Sequence, residues 1–180
     1  DVPVHLHAFG DFQAMNALPC IYIAKACHLK EESILNGLAH LEMTKMRTQL
    51  IPVQNAYILD DTYKSNPESA KAAIDTLMVL PARKHIAILS DMLDLGSEEK
   101  QLHYDVGEYA KEKGVDALYC TGPLSKETSV GFNGNWYETK DEIYEAVKPL
   151  LEEDCVILIK GSRAMKMDTL VDAFRGNDNE

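Results

Sequence analysis

The stretch ILDDTYKSNPESAKAA, residues 58 to 73, ends an apolar run in two carboxylates, Asp60 and Asp61. Thr62, Tyr63, Lys64 and Ser65 follow, before Asn66-Pro67 opens a helix with Asn as cap and Pro at its first position. Asn66 meets the capping need by itself, so Asp60, Asp61 and Tyr63 are surplus to it and available for binding. A second corner, KGSRAMK (160 to 166), follows the apolar run CVILI. There Lys160 and Arg163 flank Gly161-Ser162 where a helix is expected to begin. Free backbone N–H groups and the helix dipole favour an anion at such a place. Lys160 is expected at an exposed strand end. SDMLDLG (90 to 96) and TGPLS (121 to 125) are polar corners of the same kind, each after an apolar run. His103 is expected to be a partly exposed helical residue, one position after core-facing Leu102. His5 and His7 share a strand face without further ligands, so no metal site is read from sequence. No GxxxxGK[ST] loop occurs.

The elements that must position these residues alternate. Residues 1 to 9 read as a short strand. A helix is expected to start near Ala17, with Asn16 near its cap and Pro19 in its first turn, because Pro breaks a helix interior. A second helix is expected over residues 31 to 42, and the basic segment MTKMRT (43 to 48) marks a boundary. Two apolar stretches across residues 49 to 59, broken at Gln54-Asn55, read as a hairpin. HIAIL (85 to 89), ALYC (117 to 120) and CVILI (155 to 159) are short continuous apolar runs, as buried parallel strands require. Helices are expected after Asn66, after a cap at Ser97-Glu98-Glu99 (face Leu102, Val106, Tyr109, Ala110), through Ile143, Val147 and Leu150, and at the end, burying Met167, Leu170, Val171 and Phe174. Asn133-Gly134 marks a turn before a short strand at Trp136-Tyr137. The fold class is therefore α/β: a Rossmann-like, mostly parallel sheet with helices on both faces, preceded by a short mainly helical tail. In such sheets ligands bind beyond the carboxyl ends of the strands, where all four polar corners fall.

With 29 acidic against 18 basic residues, the formal charge of -11 argues against nucleic acid as the main partner. Cys20, Cys27, Cys120 and Cys155 form no CxxC pair and are expected to be buried, reduced thiols. No apolar run of membrane length and no signal-peptide or lipidation pattern is read, so a cytoplasmic protein without membrane insertion is expected. The sequence opens DVPVHLH without Met, as a processed or shortened chain would.

LDDTYKSNPESAKAAID (59 to 75), IAILSDMLDLG (86 to 96), LHYDVGEYA (102 to 110) and LIKGSRAMKMD (158 to 168) together resemble the Mur ligase family, in family order. The likeness covers the family's last domain, here 48–180, and a tail of its central ATP-binding domain, here 1–47. The resemblance implies the C-terminal part of an ATP-dependent amide ligase. In that chemistry ATP, with Mg2+ as counter-ion, phosphorylates the carboxylate ending UDP-N-acetylmuramoyl-tripeptide. The amine of D-alanyl-D-alanine then attacks the acyl phosphate. By match, Asn16 would sit at the adenine and Arg47 at the ribose, while Asp61, Tyr63 and Asn66 would close over the nucleotide. Lys160, Ser162 and Arg163 would face the peptide substrate and the developing negative charge. Asp91 and His103 lie in matching motifs without an assigned contact. Met46 and Ser90 stand where the family pattern has Gly. The P-loop and the metal-binding carboxylates would belong to the central domain, so this chain alone is expected to be inactive, and a monomer. Two other readings are a phosphoacceptor receiver domain, mimicked by Asp60, Asp61, Asp91 and Lys160, and a non-catalytic nucleotide-binding module.

Overall fold

The computed structural model describes residues 3, 4, 6, 11–41 and 44–176, with the side chains of Asp11 and Phe12 left aside. His5, His7 and most of the strand expected over residues 1 to 9 lie outside the described residues, and Pro3, Val4 and Leu6 are not in a strand. The chain divides into two compact units, Asp1–Thr44 and Lys45–Glu180.

The first unit pairs α1 (Asp11–Ala26) with α2 (Glu31–Ala39). Ala17, Ile34 and Leu38 form its small core, with Leu6, Ile21 and Ala24 against it. Contrary to the sequence reading, Pro19 lies inside α1, and the helix begins well before Ala17. Pro19 removes one backbone hydrogen bond, but Met15 and Pro19 are both exposed, so water can satisfy the freed carbonyl. Ala14, Ala17, Ala24 and Ala26 favour helix on either side of it. Asn16 is consequently a helix-interior residue and not a cap. Cys20 and Cys27, expected to be buried, are exposed, whereas Cys120 and Cys155 are buried.

The second unit is built on a six-stranded sheet. Its strands are β1 (Gln49–Val53), β2 (Ala56–Asp61), β3 (Lys84–Ser90), β4 (Ala117–Thr121), β5 (Asn135–Tyr137) and β6 (Cys155–Lys160). They lie in the order β1-β2-β6-β3-β4-β5. All neighbours are parallel except β1 and β2, the hairpin expected at Gln54-Asn55. Pro52 is tolerated because β1 is an edge strand with no second neighbour to receive its missing N–H. Every residue of central β6 is buried, which accounts for its unbroken apolar run.

Helices α3 (Pro67–Val79) and α4 (Glu99–Lys113) cover one face, where Ile74, Leu77, Val106 and Ala110 meet Leu59, Ala87, Leu118 and Leu158. The other face carries α6 (Lys140–Val147) and α7 (Asp168–Phe174), whose Ile143, Val147, Leu170 and Phe174 pack on Ile58, Ile88 and Ile157. Helix α5 (Ser125–Phe132), read from sequence only as a polar corner, packs on α4. Gly107 and Gly131 make that contact possible, since a Cβ on either would lie 2.1 Å or 2.3 Å from a carbonyl of the facing helix.

Three local expectations need correction. Helix α4 starts at Glu99 after a short 3-10 turn, without a side-chain cap from the Ser97-Glu98-Glu99 run. The core face of α4 is His103, Val106, Gly107 and Ala110, and Leu102 is only partly buried. His103 is thus fully buried, because hydrogen bonds to both ring nitrogens offset its burial.

Candidate functional site

Parallel strands β2 and β6 place Asp61 directly opposite Lys160 at their carboxyl ends. The Lys160 Nζ donates to Asp61 Oδ2 at 2.6 Å and to the Lys64 carbonyl at 2.8 Å. Asp61 Oδ1 accepts from the Thr48 amide at 3.1 Å and from its hydroxyl at 3.5 Å. Lys160 is only 2% exposed. It is therefore a buried, paired cation, not the exposed strand end read from sequence. Burial pushes its pKa below the usual lysine value. The Asp61 carboxylate opposes that shift, and the Arg47 charge adds a little to it. Asp60 points to the opposite face, as the pleat requires, and accepts from the Thr62 amide and hydroxyl at 3.1 Å and 2.7 Å. Burial raises the Asp60 pKa despite those bonds.

Above this pair lies an exposed group. The Arg47 guanidinium stands 4.4 Å from the centroid of the Tyr63 ring. Arg163 Nη1 lies 2.7 Å from Asp168 Oδ2 and 3.3 Å from Met46 Sδ. The Met46 carbonyl accepts from the Tyr63 backbone amide at 3.1 Å, so one residue ties the Arg163 side chain and the Tyr63 backbone to the segment carrying Arg47. Met46 has φ +63°, the left-handed backbone that the family pattern serves with Gly. The expected helix start at Gly161-Ser162 is not there. Strand β6 runs into a single 3-10 turn, Arg163–Met165, and α7 begins only at Asp168. Ser162 is 7% exposed; its hydroxyl accepts from the Leu93 amide at 2.9 Å, and its amide donates to the Asp91 carbonyl at 3.0 Å.

Asp91 and His103 hold the corners together. Asp91 Oδ1 accepts from the Leu124 and Ser125 amides at 3.1 Å and 2.8 Å, capping the start of α5 from the loop after β3. Gly122 lets the carboxylate approach, since a Cβ there would lie 2.4 Å from Asp91 Oδ1. His103 Nε2 accepts from the Met92 amide at 2.9 Å, and Nδ1 lies 2.6 Å from the Glu99 carbonyl, the arrangement of the neutral Nδ1–H tautomer. Asp91 is 2% exposed and committed to α5, which argues against a phosphoacceptor aspartate and hence against the receiver reading. Asn66 caps α3 as expected, in a reciprocal box with Ser69. In the first unit, exposed Asn16 donates to Gln13 Oε1 at 3.3 Å.

Among the described residues no three His, Cys, Asp or Glu side chains converge on one point. Sequence reasoning missed Thr48, the Lys64 carbonyl and Asp168, the partners that fix Asp61, Lys160 and Arg163. Asp168 lay inside a quoted motif, but a contact across a turn leaves no periodic signal.

Residues 46–163 match the family described as Mur ligase, glutamate ligase domain. A UDP-N-acetylmuramoyl-tripeptide–D-alanyl-D-alanine ligase of Escherichia coli (strain K12) is 32% identical over 98% of this chain and 40% of its own. The ligase of that name from Rickettsia prowazekii is 31% identical over 77% of this chain and 32% of its own. The solved UDP-N-acetylmuramoylalanyl-D-glutamyl-2,6-diaminopimelate–D-alanyl-D-alanyl ligase of Acinetobacter baumannii superposes with a TM-score of 0.88. It is 26% identical, covering 96% of this chain and 38% of that one. The chain thus spans 40% or less of the length of these relatives. With its α/β sheet and its polar corners in family order, the chain belongs to the Mur ligase family.

Proposed function

We propose that this chain is the C-terminal part of an ATP-dependent ligase that adds D-alanyl-D-alanine to UDP-N-acetylmuramoyl-tripeptide in peptidoglycan precursor synthesis. Residues 1–47 are then the end of a central ATP-binding domain, and 48–180 the closing domain. The observation that carries the reading is the carboxyl-edge corner where Arg47, Tyr63 and Arg163 stand exposed over the buried Asp61–Lys160 pair. The names of the relatives give the substrates. ATP, with Mg2+ as counter-ion, supplies the phosphoryl group that activates the tripeptide carboxylate, and both are held mainly outside this chain.

Arg47, Tyr63 and Asp61 form this lobe's side of the nucleotide site, with Asn66 fixing the helix behind them. Arg163 is the exposed cation that faces the peptide substrate and stabilises developing negative charge. Lys160 and Ser162, buried and already bonded, set the position of Asp61 and of the corner that carries Arg163. Asp91 and His103 are positioning residues of the same kind. No described helix is long and apolar enough to cross a membrane. A cytoplasmic enzyme fits water-soluble substrates, here ATP, a UDP-linked peptide and a free dipeptide.

The test is the full-length parent, incubated with ATP, Mg2+, UDP-N-acetylmuramoyl-tripeptide and D-alanyl-D-alanine, with product read by mass spectrometry. ATP-dependent gain of the dipeptide mass is expected, and the 180-residue chain alone should give none. Addition of a single amino acid in place of the dipeptide would overturn the assignment within the family.

A further inference from the structure

Lys140 is the first residue of α6, after the Thr139 cap and its box with Glu142. A cation there opposes the helix dipole, which favours acidic residues in a first turn. Its position has another cause. The Lys140 Nζ crosses to the loop after β6 and donates to the Lys166 carbonyl at 3.0 Å and the Met165 carbonyl at 3.3 Å. The Lys166 carbonyl also accepts from the amide and hydroxyl of Thr169, which makes it the node where the 3-10 turn meets α7. Lys166 itself has φ +50°, a left-handed conformation that a side chain resists and that external bonds must hold. The turn so held, Arg163–Met165, carries the exposed Arg163 at its first position, and Arg163 in turn pairs with Asp168. The charged groups acting on Lys140 are Asp168 and Lys166 from the facing loop and Asp141 from its own helix. Burial, helped by the Lys166 charge, outweighs the two carboxylates and lowers its pKa.

We propose that Lys140 is a positioning residue for Arg163: its ammonium locks the Arg163–Met165 turn and thereby sets where the guanidinium meets substrate. The proposal rests on the ligase reading for the role of Arg163, but the lock itself does not. Two readouts separate them. In the 180-residue chain, backbone amide resonances of residues 163 to 169 should shift in Lys140→Met and return towards wild type in Lys140→Arg, whose fork can serve both carbonyls. In the parent enzyme, Lys140→Met should lower kcat by about tenfold or more with little change in KM for ATP, and Lys140→Arg should recover most of it, since misplacing a reacting-site group costs on this scale. Unshifted amides in a folded Lys140→Met chain overturn the lock. Shifted amides with unchanged kcat overturn its link to the reaction. A wild-type parent without ligase activity, with amides that shift as expected, would sink the ligase reading and leave the lock standing.

Discussion

Removing the charge of Asp61 should unmask the cost of burying Lys160. In Asp61→Asn the shape survives, and one amide oxygen can still accept from Thr48 or from Lys160, but the ammonium, 2% exposed, loses its counter-charge. Breaking a buried pair by removing one partner costs roughly 3–5 kcal/mol. The Asp61 side chain is itself 16% exposed and Lys160 keeps the Lys64 carbonyl, so we take the lower end, about 3 kcal/mol. For a domain of this size that lowers the Tm by roughly 6–12 °C. Urea unfolding followed by the fluorescence of Trp136, the only tryptophan, reads the sheet that carries the pair. Lys160→Met added to Asp61→Asn should recover about 2 kcal/mol, because an apolar side chain needs no partner. The sign with pH follows from the depressed lysine pKa. Between that pKa and the ordinary 10.5 the unfolded chain holds the extra proton, so this group's contribution to stability rises with pH in that window. Losing Asp61 depresses the pKa further, so the deficit of Asp61→Asn should shrink as the pH rises from the variant's Lys160 pKa to that of the wild type. A loss under about 1 kcal/mol, or a double variant no better than the single, would refute the buried-pair reasoning.

Two further outcomes concern the scaffold. Asn66→Ala breaks the capping box with Ser69 and should cost about 1–2 kcal/mol by urea unfolding, while Asn66→Asp should cost far less; equal losses would remove the cap assignment. Gly122→Ala combines φ +110° with a Cβ 2.4 Å from Asp91 Oδ1, so we expect a loss of about 3 kcal/mol or more; a melting curve unmoved by this change would show that Asp91 does not sit against residue 122.

The sheet was legible because its signals are local. HIAIL, ALYC and CVILI declare buried strands by continuous apolarity, and Asn66-Pro67 declares a helix start by the chemistry of one cap. Pro19 misled because its cost in a helix interior falls where water can satisfy the freed carbonyl, and exposure is a tertiary fact. His103 misled for the mirror reason: the hydrogen bonds that let it be buried come from the Met92 amide on another segment and from a carbonyl one turn back. At the site, residue types were readable but their states were not. A lysine after a strand looks like a free cation until the partner strand is known, and Asp61 lies 99 residues away.

The adjacent carboxylates Asp60 and Asp61 show how little of a site composition alone decides. Sequence makes them equivalent, yet a strand sends neighbours to opposite faces. Asp61 falls on the face where register supplies Lys160, and two donors from Thr48 complete its shell. Asp60 falls on the α7 face, where desolvation outweighs the Thr62 bonds and the nearest charges, Asp61 and Asp168, are of its own sign. One carboxylate is thus paired with a buried cation, while burial pushes its neighbour towards the neutral form. The pairing also decides which cations the corner can offer a ligand. Lys160 is spent on Asp61, so the charge presented outward is that of the exposed Arg47 and Arg163. These two reach it by different routes, Arg47 through the Tyr63 ring and Arg163 through the turn that Asp168 and Lys140 hold.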